Sequence, residues 1–275
     1  EEASKIEKEF KKNGLKIKKY KSDASNFDES IQVSWNKNKM FKYKSVLITG
    51  GTGRFCEVLK KTKFGKKCLY PKKKQLDILN IKSIENYLRK IKPKVLIHCA
   101  GLSRPMDVHD KHIEKSINLN IIGTSNIVIA CKKFNVKLVY FSTGYVYEGK
   151  KGNYKEDEAI LPFNSYAWSK LGGECAVKLY KNSLILRLIM CEKPFVHNKA
   201  FSDIRTNFIF HDEVAQMIPK IINQKGILNV GGKIQNLFNF AKKYNKNVKK
   251  TSGKKFYPPN PSMNIYKLKK VLFKW

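Results

Sequence analysis

Three side chains have the types and positions needed to move a proton at a carbonyl oxygen. Tyr166 and Lys170 stand at i and i+4, so they share one face of a predicted helix. An ammonium group beside a phenol favours the phenolate and lowers a pKa that is ordinarily about 10. Thr143 follows the apolar run KLVYF, at the carboxyl end of a predicted strand, where open α/β sheets bind ligands. Together they supply a proton donor, a cation that tunes it and a hydrogen-bond donor for the carbonyl oxygen.

A glycine turn follows the predicted strand Ser45–Thr49 and precedes a helical pattern that starts near Glu57. A strand, a glycine turn and a helix in this order form a phosphate site, because backbone N–H groups there face the ligand. Gly50 allows the tight turn, and Gly53 allows the phosphate to approach the backbone. The third position of the GxxGxxG spacing holds Cys56 instead of glycine. The pattern favours binding of a dinucleotide over a plain structural turn.

The residues after the next predicted strand, Lys67–Tyr70, bear on the choice of dinucleotide. NAD-preferring sites commonly place an acidic side chain there to hold the ribose 2′-hydroxyl. This chain instead has three consecutive lysines, starting at Lys72, which suit a 2′-phosphate. The sequence therefore favours NADP(H) over NAD(H). Asp77 comes too late to be the ribose acid and is expected to border the adenine.

Short apolar runs alternate with longer helical patterns from Lys44 onward. Near-continuous apolar strands separated by helices are typical of a parallel sheet covered on both faces. We therefore predict an α/β fold with a doubly wound, Rossmann-type parallel sheet. The predicted strands are Ser45–Thr49, Lys67–Tyr70, Val95–His98, Lys137–Phe141 and Ser183–Leu188, and the predicted helices are Lys82–Lys90, Ile113–Phe134 and Ser165–Tyr180.

Three regions are predicted along the chain. Residues 1–43 form an N-terminal extension of unknown role, with a charged helical segment at Ser4–Lys12 and a candidate strand at Leu15–Tyr20. Residues 44–190 form the dinucleotide-binding domain. Residues 191–275 form a small substrate-binding lobe, with some interleaving of the two.

Composition narrows the functional classes. The 56 basic against 22 acidic residues give a formal charge of +34, which invites a nucleic-acid partner, yet only five of the basic residues are arginines. Lysines spread over the whole chain point to compositional bias, so a nucleic-acid partner is not expected. No apolar run is long enough to span a bilayer. The six cysteines show neither a CxxC pair nor metal-ligand spacing, which indicates a reducing, cytoplasmic compartment and no structural metal.

The order of these motifs resembles the extended short-chain dehydrogenases/reductases, in particular the dTDP-4-dehydrorhamnose reductases and their sugar-nucleotide-binding, RmlD-like relatives. The resemblance covers residues 44–268. It is carried by TGGTGRF at 49–55, KPKVLIHCAG at 92–101, NIIGT at 120–124, the segment 137–174, LILRL at 184–188, FIFHDEVA at 208–215, GILNVGG at 226–232 and PPNPSMNIYKL at 258–268.

The resemblance implies hydride transfer from NADP(H) to the C4 ketone of a nucleotide-linked 4-keto-6-deoxy sugar. It implies a catalytic triad of Thr143, Tyr166 and Lys170. It also implies cofactor contacts from Gly50, Thr52, Gly53, Arg54, Phe55, Lys72, Asp77, Ala100, Gly101, Asn120 and Lys170, and substrate contacts from Ser103, Thr143, Gly144, Tyr166 and Asn260.

The chain departs from the family pattern at four places. Cys56 replaces the third glycine, Gly144 stands where an aspartate usually follows Ser-Thr, and Tyr257 replaces an arginine that meets the nucleotide diphosphate. The segment between Arg187 and Phe208 is also shorter than its family counterpart. The cofactor half of the resemblance is therefore better supported than the sugar half.

Two alternatives remain open. One is a nucleotide-sugar epimerase or dehydratase that retains its cofactor, for which His197 is a candidate second acid, although a loop histidine is more often merely solvated. The other is a non-catalytic subunit that binds a sugar nucleotide or NADP. Homodimers are common among such folds, but the sequence itself does not fix an oligomeric state.

Overall fold

The computed structural model describes residues 16–18, 32–34, 46–254 and 257–273. The chain divides into two compact units, Glu1–Tyr43 and Lys44–Trp275. In the first unit, strands β1 (Lys16–Lys18) and β2 (Gln32–Ser34) pair in antiparallel fashion. The predicted helix Ser4–Lys12 lies outside the described residues.

The strands of the second unit are short. They are β3 (Val46–Thr49), β4 (Val95–His98), β5 (Lys137–Thr143), β6 (Ser183–Leu188), β7 (Met190–Cys191), β8 (Lys199–Phe201), β9 (Arg205–Thr206), β10 (Ile209–Phe210), β11 (Gly226–Val230), β12 (Gln235–Asn236) and β13 (Lys249–Thr251). Five of them form one parallel sheet in the order β11-β6-β5-β4-β3. The predicted doubly wound parallel sheet is confirmed.

The chain reverses direction across the sheet between β3 and β4. After β3 it passes to the outer side, where Leu69 forms a single parallel bridge with Leu47, and it then returns to β4 on the inner side of β3. The loops after β3 and β4 therefore leave the same sheet edge side by side, at the switch point where such sheets bind ligands. The predicted strand Lys67–Tyr70 is wrong in extent, because only Leu69 pairs with the sheet.

Helices cover the sheet. They are α1 (Arg54–Leu59), α2 (Ile81–Ile91), α3 (Val108–Lys111), α4 (Ile113–Ser116), α5 (Gly123–Lys133), α6 (Ser165–Lys178), α7 (His211–Ile221), α8 (Leu237–Tyr244) and α9 (Tyr266–Phe273), with a π-helical segment at Ile117–Ile122 between α4 and α5. Asparagine side chains cap three of these helices. Asn80 accepts the backbone N–H of Ser83 at 3.0 Å, Asn164 accepts that of Ala167 at 2.8 Å, and Asn236 accepts that of Asn239 at 3.1 Å.

Apolar clusters among the described residues hold this arrangement together. One lies under the sheet and joins strand residues such as Leu47, Leu96 and Leu138 to the helix residues Ile84 and Ile127. Another forms the core of the C-terminal region, and its members include Phe195, Phe210, Leu237 and Phe240. Strand β11 belongs to the main sheet although it lies beyond residue 190, so the two predicted regions interleave. No helix of the described part of the chain is long and apolar enough to cross a membrane.

Candidate active site

Thr143 and Tyr166 lie on the wall of a cavity of about 820 Å³. Thr143 ends β5, and its hydroxyl accepts the backbone N–H of Tyr145 at 3.2 Å. Tyr166 stands in the first turn of α6, and its phenol is close enough to Thr143 for that side chain to lower the phenol's pKa. Two of the three predicted catalytic groups therefore meet at the carboxyl edge of the sheet.

The phenol of Tyr166 is an acid that keeps its proton at neutral pH. Burial raises its pKa to about 12; the Thr143 side chain and the charge of Arg104, in the loop after β4, act in the opposite direction, while Tyr257 raises the pKa further. The effect of Lys170 on the phenol stays a prediction. Arg104 lines the same cavity.

Lys170 packs against strand β5. Its Nζ lies 4.3 Å from the centre of the Tyr140 ring, and burial lowers its pKa to about 8, against the raising effects of Cys99 and Glu174. Within the described residues Nζ has no hydrogen-bond acceptor. A Cβ placed on Gly101 would lie 3.9 Å from Nζ, so the ammonium group borders the loop that follows β4.

The glycine turn packs directly against that loop. Gly50 has φ +74°, and a Cβ there would lie 2.6 Å from the backbone nitrogen of Ala100. Only glycine fits, for conformation and for space. Gly53 differs, because a Cβ there would meet only Gly50 O, at 3.1 Å. The turn is closed by the hydrogen bond from Gly53 N to Gly50 O, at 2.9 Å.

The remaining predicted residues of the turn have different surroundings. Thr52 is exposed, Arg54 lines the cavity, and Phe55 is buried with its ring 4.9 Å from that of Phe141. Cys56, at the position of the third glycine, is buried in the first turn of α1. A thiol is small enough to preserve this packing.

Asn120 positions the site from inside the protein. It lies in the π-helical segment and is fully buried. Its Oδ1 accepts the N–H of Leu102 at 2.7 Å, and its Nδ2 donates to Leu102 O at 2.9 Å and to Ser169 Oγ at 2.8 Å. A Cβ on Gly101 would lie 2.7 Å from Oδ1. Asn120 therefore ties the loop after β4 to the helix that carries Tyr166.

A network of buried hydrogen bonds beneath the two loops was not predicted from the sequence. His98 Nδ1 lies 2.7 Å from Thr49 Oγ1, and Nε2 lies 3.1 Å from Thr124 Oγ1. Burial, with a smaller effect of Lys170, lowers the pKa of His98 to about 3, so the ring is neutral. Thr49 Oγ1 also accepts the N–H of Ala100 at 3.3 Å. This network of hydrogen bonds fixes the ends of β3 and β4 relative to each other.

Several predicted site residues are not brought to the cavity. A Cβ on Gly144 would lie 2.6 Å from Ile189 Cγ1, and the side chain of Asn260 binds Lys151 O and the hydroxyl of Ser262. Of the predicted substrate-binding residues, the cavity wall includes Ser103, Thr143 and Tyr166.

The residues predicted at the adenine end are also apart from this cavity. Asp77 Oδ1 accepts the N–H of Leu79 at 3.0 Å, and Oδ2 lies 4.0 Å from Lys73 Nζ. Lys72 is exposed.

Sequence reasoning missed Arg104 and Glu192. Arg104 and the predicted Arg54 both contact Glu192, and all three residues line the cavity. It also missed His109, which is buried and packs its ring 5.1 Å from that of Tyr166. Arg104, Glu192 and His109 lie in loops or in a four-residue helix without periodicity, so the sequence carried no signal for them.

A doubly wound sheet with a glycine turn and a tyrosine at its switch point defines a Rossmann-type protein with a dinucleotide-style crevice. The family described as RmlD substrate binding domain matches residues 44–191, and the chain belongs to this family. The resemblance recognised in the sequence is thereby confirmed.

The chain spans less than half the length of the curated relatives it matches. It is 30% identical to methionine adenosyltransferase 2 subunit beta of Bos taurus over 49% of this chain and 42% of that protein. It is 31% identical to dTDP-4-dehydrorhamnose reductase of Aggregatibacter actinomycetemcomitans over 41% of this chain and 39% of that protein.

Solved structures match over more of the chain. The dTDP-4-dehydrorhamnose reductase of Bacillus anthracis in complex with NADP has a TM-score of 0.73 and 26% identity, covering 82% of this chain and 92% of that one. The Bordetella bronchiseptica enzyme WbmG in complex with NAD has a TM-score of 0.65 and 19% identity, covering 84% and 87%, and supports the fold alone.

Proposed function

We propose that the protein is an NADP(H)-dependent reductase of a nucleotide-linked 4-keto-6-deoxy sugar. The observation that carries the proposal is the pair of hydroxyls, Thr143 and Tyr166, on the wall of one large cavity at the carboxyl edge of the sheet. The structural neighbour from Bacillus anthracis, a dTDP-4-dehydrorhamnose reductase in complex with NADP, supports the assignment.

The residues present fit a nicotinamide dinucleotide. The turn at Gly50 is closed on itself, while the space next to Gly53 is bounded only by a carbonyl oxygen of the turn, so a phosphate can approach the backbone. Lys170 holds an ammonium group beside Gly101 without a protein acceptor, and a ribose hydroxyl would provide one. We assign the pyrophosphate to the glycine turn and the nicotinamide ribose to Lys170.

The chain's own groups handle the proton and the carbonyl oxygen. Tyr166 is protonated at neutral pH and donates its proton to the oxygen as negative charge develops there. Thr143 donates a hydrogen bond to the same oxygen. Arg104 stabilises the phenolate that remains. The bound dinucleotide supplies the hydride.

The preference for NADP(H) rests on the lysines that follow the Leu69 bridge. Tyr70 packs over the glycine turn, since a Cβ on Gly51 would lie 3.0 Å from Tyr70 Cβ. The exposed Lys72 follows two residues later. Lys72 and the two lysines after it offer cations to a 2′-phosphate, and the Asp77 carboxylate lies 4.0 Å from Lys73 Nζ. Dissociation constants for NADPH and NADH, measured by fluorescence titration, test the preference; equal affinities would contradict it.

Turnover is tested by mixing NADPH with a dTDP-linked 4-keto-6-deoxy sugar and following the absorbance of the reduced nicotinamide. We expect oxidation of NADPH by the wild type and by Tyr266→Phe, an exposed tyrosine on α9 that serves as a matched control. Conversion of a sugar nucleotide without net consumption of NADPH would instead indicate an epimerase or dehydratase. Absence of any conversion would refute the enzymatic proposal.

A second candidate function is a non-catalytic subunit. It is favoured by the match to methionine adenosyltransferase 2 subunit beta, which several curated relatives share. This candidate predicts NADPH binding without keto-sugar reduction, and co-elution with a methionine adenosyltransferase catalytic subunit in size-exclusion chromatography. Turnover with no co-elution would exclude it.

A further inference from the structure

Two arginines from separate loops converge on one carboxylate oxygen. Arg54 Nη1 lies 2.8 Å from Glu192 Oε1, and Arg104 Nη1 lies 3.3 Å from the same oxygen. The other oxygen, Oε2, is buried and has no hydrogen-bond partner. Arg54 starts α1 after the glycine turn, Arg104 lies in the loop after β4, and Glu192 follows β7, so three segments of the chain meet here.

This contact uses only a small part of what the two arginines offer. A guanidinium group presents five donors in a planar fork that matches two oxygens of one anion. Here each guanidinium gives one nitrogen to the shared oxygen of Glu192, and both side chains remain partly exposed to the cavity. The cluster therefore holds two positive charges against one, and each guanidinium keeps donors that Glu192 does not use.

The surroundings favour an anion in that space. Among the described residues that line the cavity, Glu192 is the only acid, whereas Lys199 and His211 lie on the same wall as the arginines. Arg104 is also close enough to Tyr166 to affect its phenol. An anion held by the arginines would thus lie within one ligand's length of the hydroxyl pair.

We propose that Arg54 and Arg104 form a clamp for a diphosphate group, and that Glu192 is the internal anion this diphosphate displaces. The identity of the ligand rests on the proposed function, and the clamp specifies how that ligand is held. Two ligands of the proposed reaction carry a diphosphate, namely the sugar nucleotide and the dinucleotide. A diphosphate offers each guanidinium two oxygens at once, whereas the carboxylate gives both arginines a single shared oxygen, so exchange is favourable.

The clamp predicts that replacing Glu192 and replacing either arginine change the affinity for a diphosphate in opposite directions. Glu192→Gln keeps the side-chain shape but removes the competing charge, so inorganic pyrophosphate is expected to bind roughly 3- to 10-fold more tightly. Arg54→Gln and Arg104→Gln each remove a charge-assisted hydrogen bond and are expected to weaken binding roughly 10- to 100-fold. Arg89→Gln is the matched control, because Arg89 lies on α2 with its guanidinium over Phe134, apart from the cavity lining.

The experiment is calorimetric titration of the full chain with inorganic pyrophosphate, followed by titrations with dTDP and with NADPH. If Glu192→Gln tightens the binding of dTDP alone, the clamp belongs to the sugar nucleotide. If it tightens the binding of NADPH alone, the clamp belongs to the dinucleotide. The proposal is overturned if Glu192→Gln binds pyrophosphate no more tightly than the wild type. It is also overturned if Arg54→Gln and Arg104→Gln bind pyrophosphate as tightly as the control Arg89→Gln. Glu192→Ala and Arg104→Lys repeat the test if a glutamine variant fails to fold.

Hydride transfer has no part in this readout. The predicted pattern without any keto-sugar reduction would therefore refute the reductase and leave the clamp standing. If the keto sugar is reduced but the affinity for pyrophosphate does not respond to these substitutions, the clamp is refuted and the reductase stands.

Discussion

Replacing Gly50 by alanine tests whether the two ligand-binding loops depend on direct backbone contact. Gly50 has φ +74°, and a Cβ would lie 2.6 Å from Ala100 N and 2.7 Å from Ala100 Cα. The left-handed conformation costs a non-glycine residue about 1–2 kcal/mol. Overpacking against a backbone that cannot rotate away costs about 1–3 kcal/mol more. We therefore expect Gly50→Ala to lower the free energy of unfolding by about 2–5 kcal/mol.

Two other glycines separate the conformational cost from the cost of the steric clash. Gly226 has φ +81° with no atom within 4 Å of the Cβ position, so Gly226→Ala should show only the conformational cost of about 1–2 kcal/mol. Gly53 lies outside the left-handed region, with φ −73°, and would meet only Gly50 O at 3.1 Å. Gly53→Ala should therefore change stability by less than about 1 kcal/mol.

The assay is urea unfolding followed by circular dichroism, with the m-value compared among variants. A Gly50→Ala chain no less stable than Gly226→Ala would refute the claim that the loops touch. The Gly53→Ala chain carries a second measurement, its affinity for NADPH. If phosphate approaches the turn at Gly53, this variant loses affinity at least 10-fold while its stability hardly changes.

Three further substitutions probe the site. Tyr166→Phe should lower keto-sugar reduction by roughly 10²- to 10⁴-fold and spare NADPH binding, and undiminished turnover would contradict its role as proton donor. Burial lowers the pKa of Lys170 from 10.5 to about 8, so the unfolded chain binds more protons between these values and wild-type stability should rise with pH across them. Lys170→Met should reduce that rise in urea titrations at several pH values and leave the part due to Lys137, whose pKa burial also lowers to about 8; an unaltered slope would show that Lys170 is not a source of it. Gly144→Ala should destabilise the protein by about 1–3 kcal/mol, because the Cβ would lie 2.6 Å from Ile189 Cγ1 and 2.7 Å from Met263 Sδ, and a thermal denaturation curve identical to the wild type would refute this packing.

The sequence predicted the elements whose apolar residues are continuous. Val46–Thr49, Val95–His98 and Ser183–Leu188 are strands buried along their whole length, and such runs allow few other conformations. The predicted strand Lys67–Tyr70 failed because its first residue closes a 3₁₀ turn and the Tyr70 hydroxyl returns to Gly65 O at 3.1 Å. These local contacts leave Leu69 alone to pair with the sheet.

The helical pattern over Ile113–Phe134 was found, but not the π-helical segment within it. Periodicity averages over several turns, whereas the extra residue of a π-turn changes the direction of one side chain. That side chain is Asn120, which the segment places between Leu102 and Ser169. Its contacts with the loop and the catalytic helix join parts of the chain that are far apart in sequence.

The predicted pairing of Tyr166 with Lys170 shows what residue spacing cannot decide. Two residues one turn apart share a helix face, but the direction of a long side chain is set by what lies beneath it. Beneath Lys170 is the Tyr140 ring on β5, which draws the ammonium inward, and Glu174 on the next turn adds a negative charge on that side. Arg104 reaches the cavity from a loop, and its charge lowers the pKa of the phenol. Lys170 can therefore serve a ligand at Gly101, and Arg104 can serve both the phenolate and an anion in the cavity.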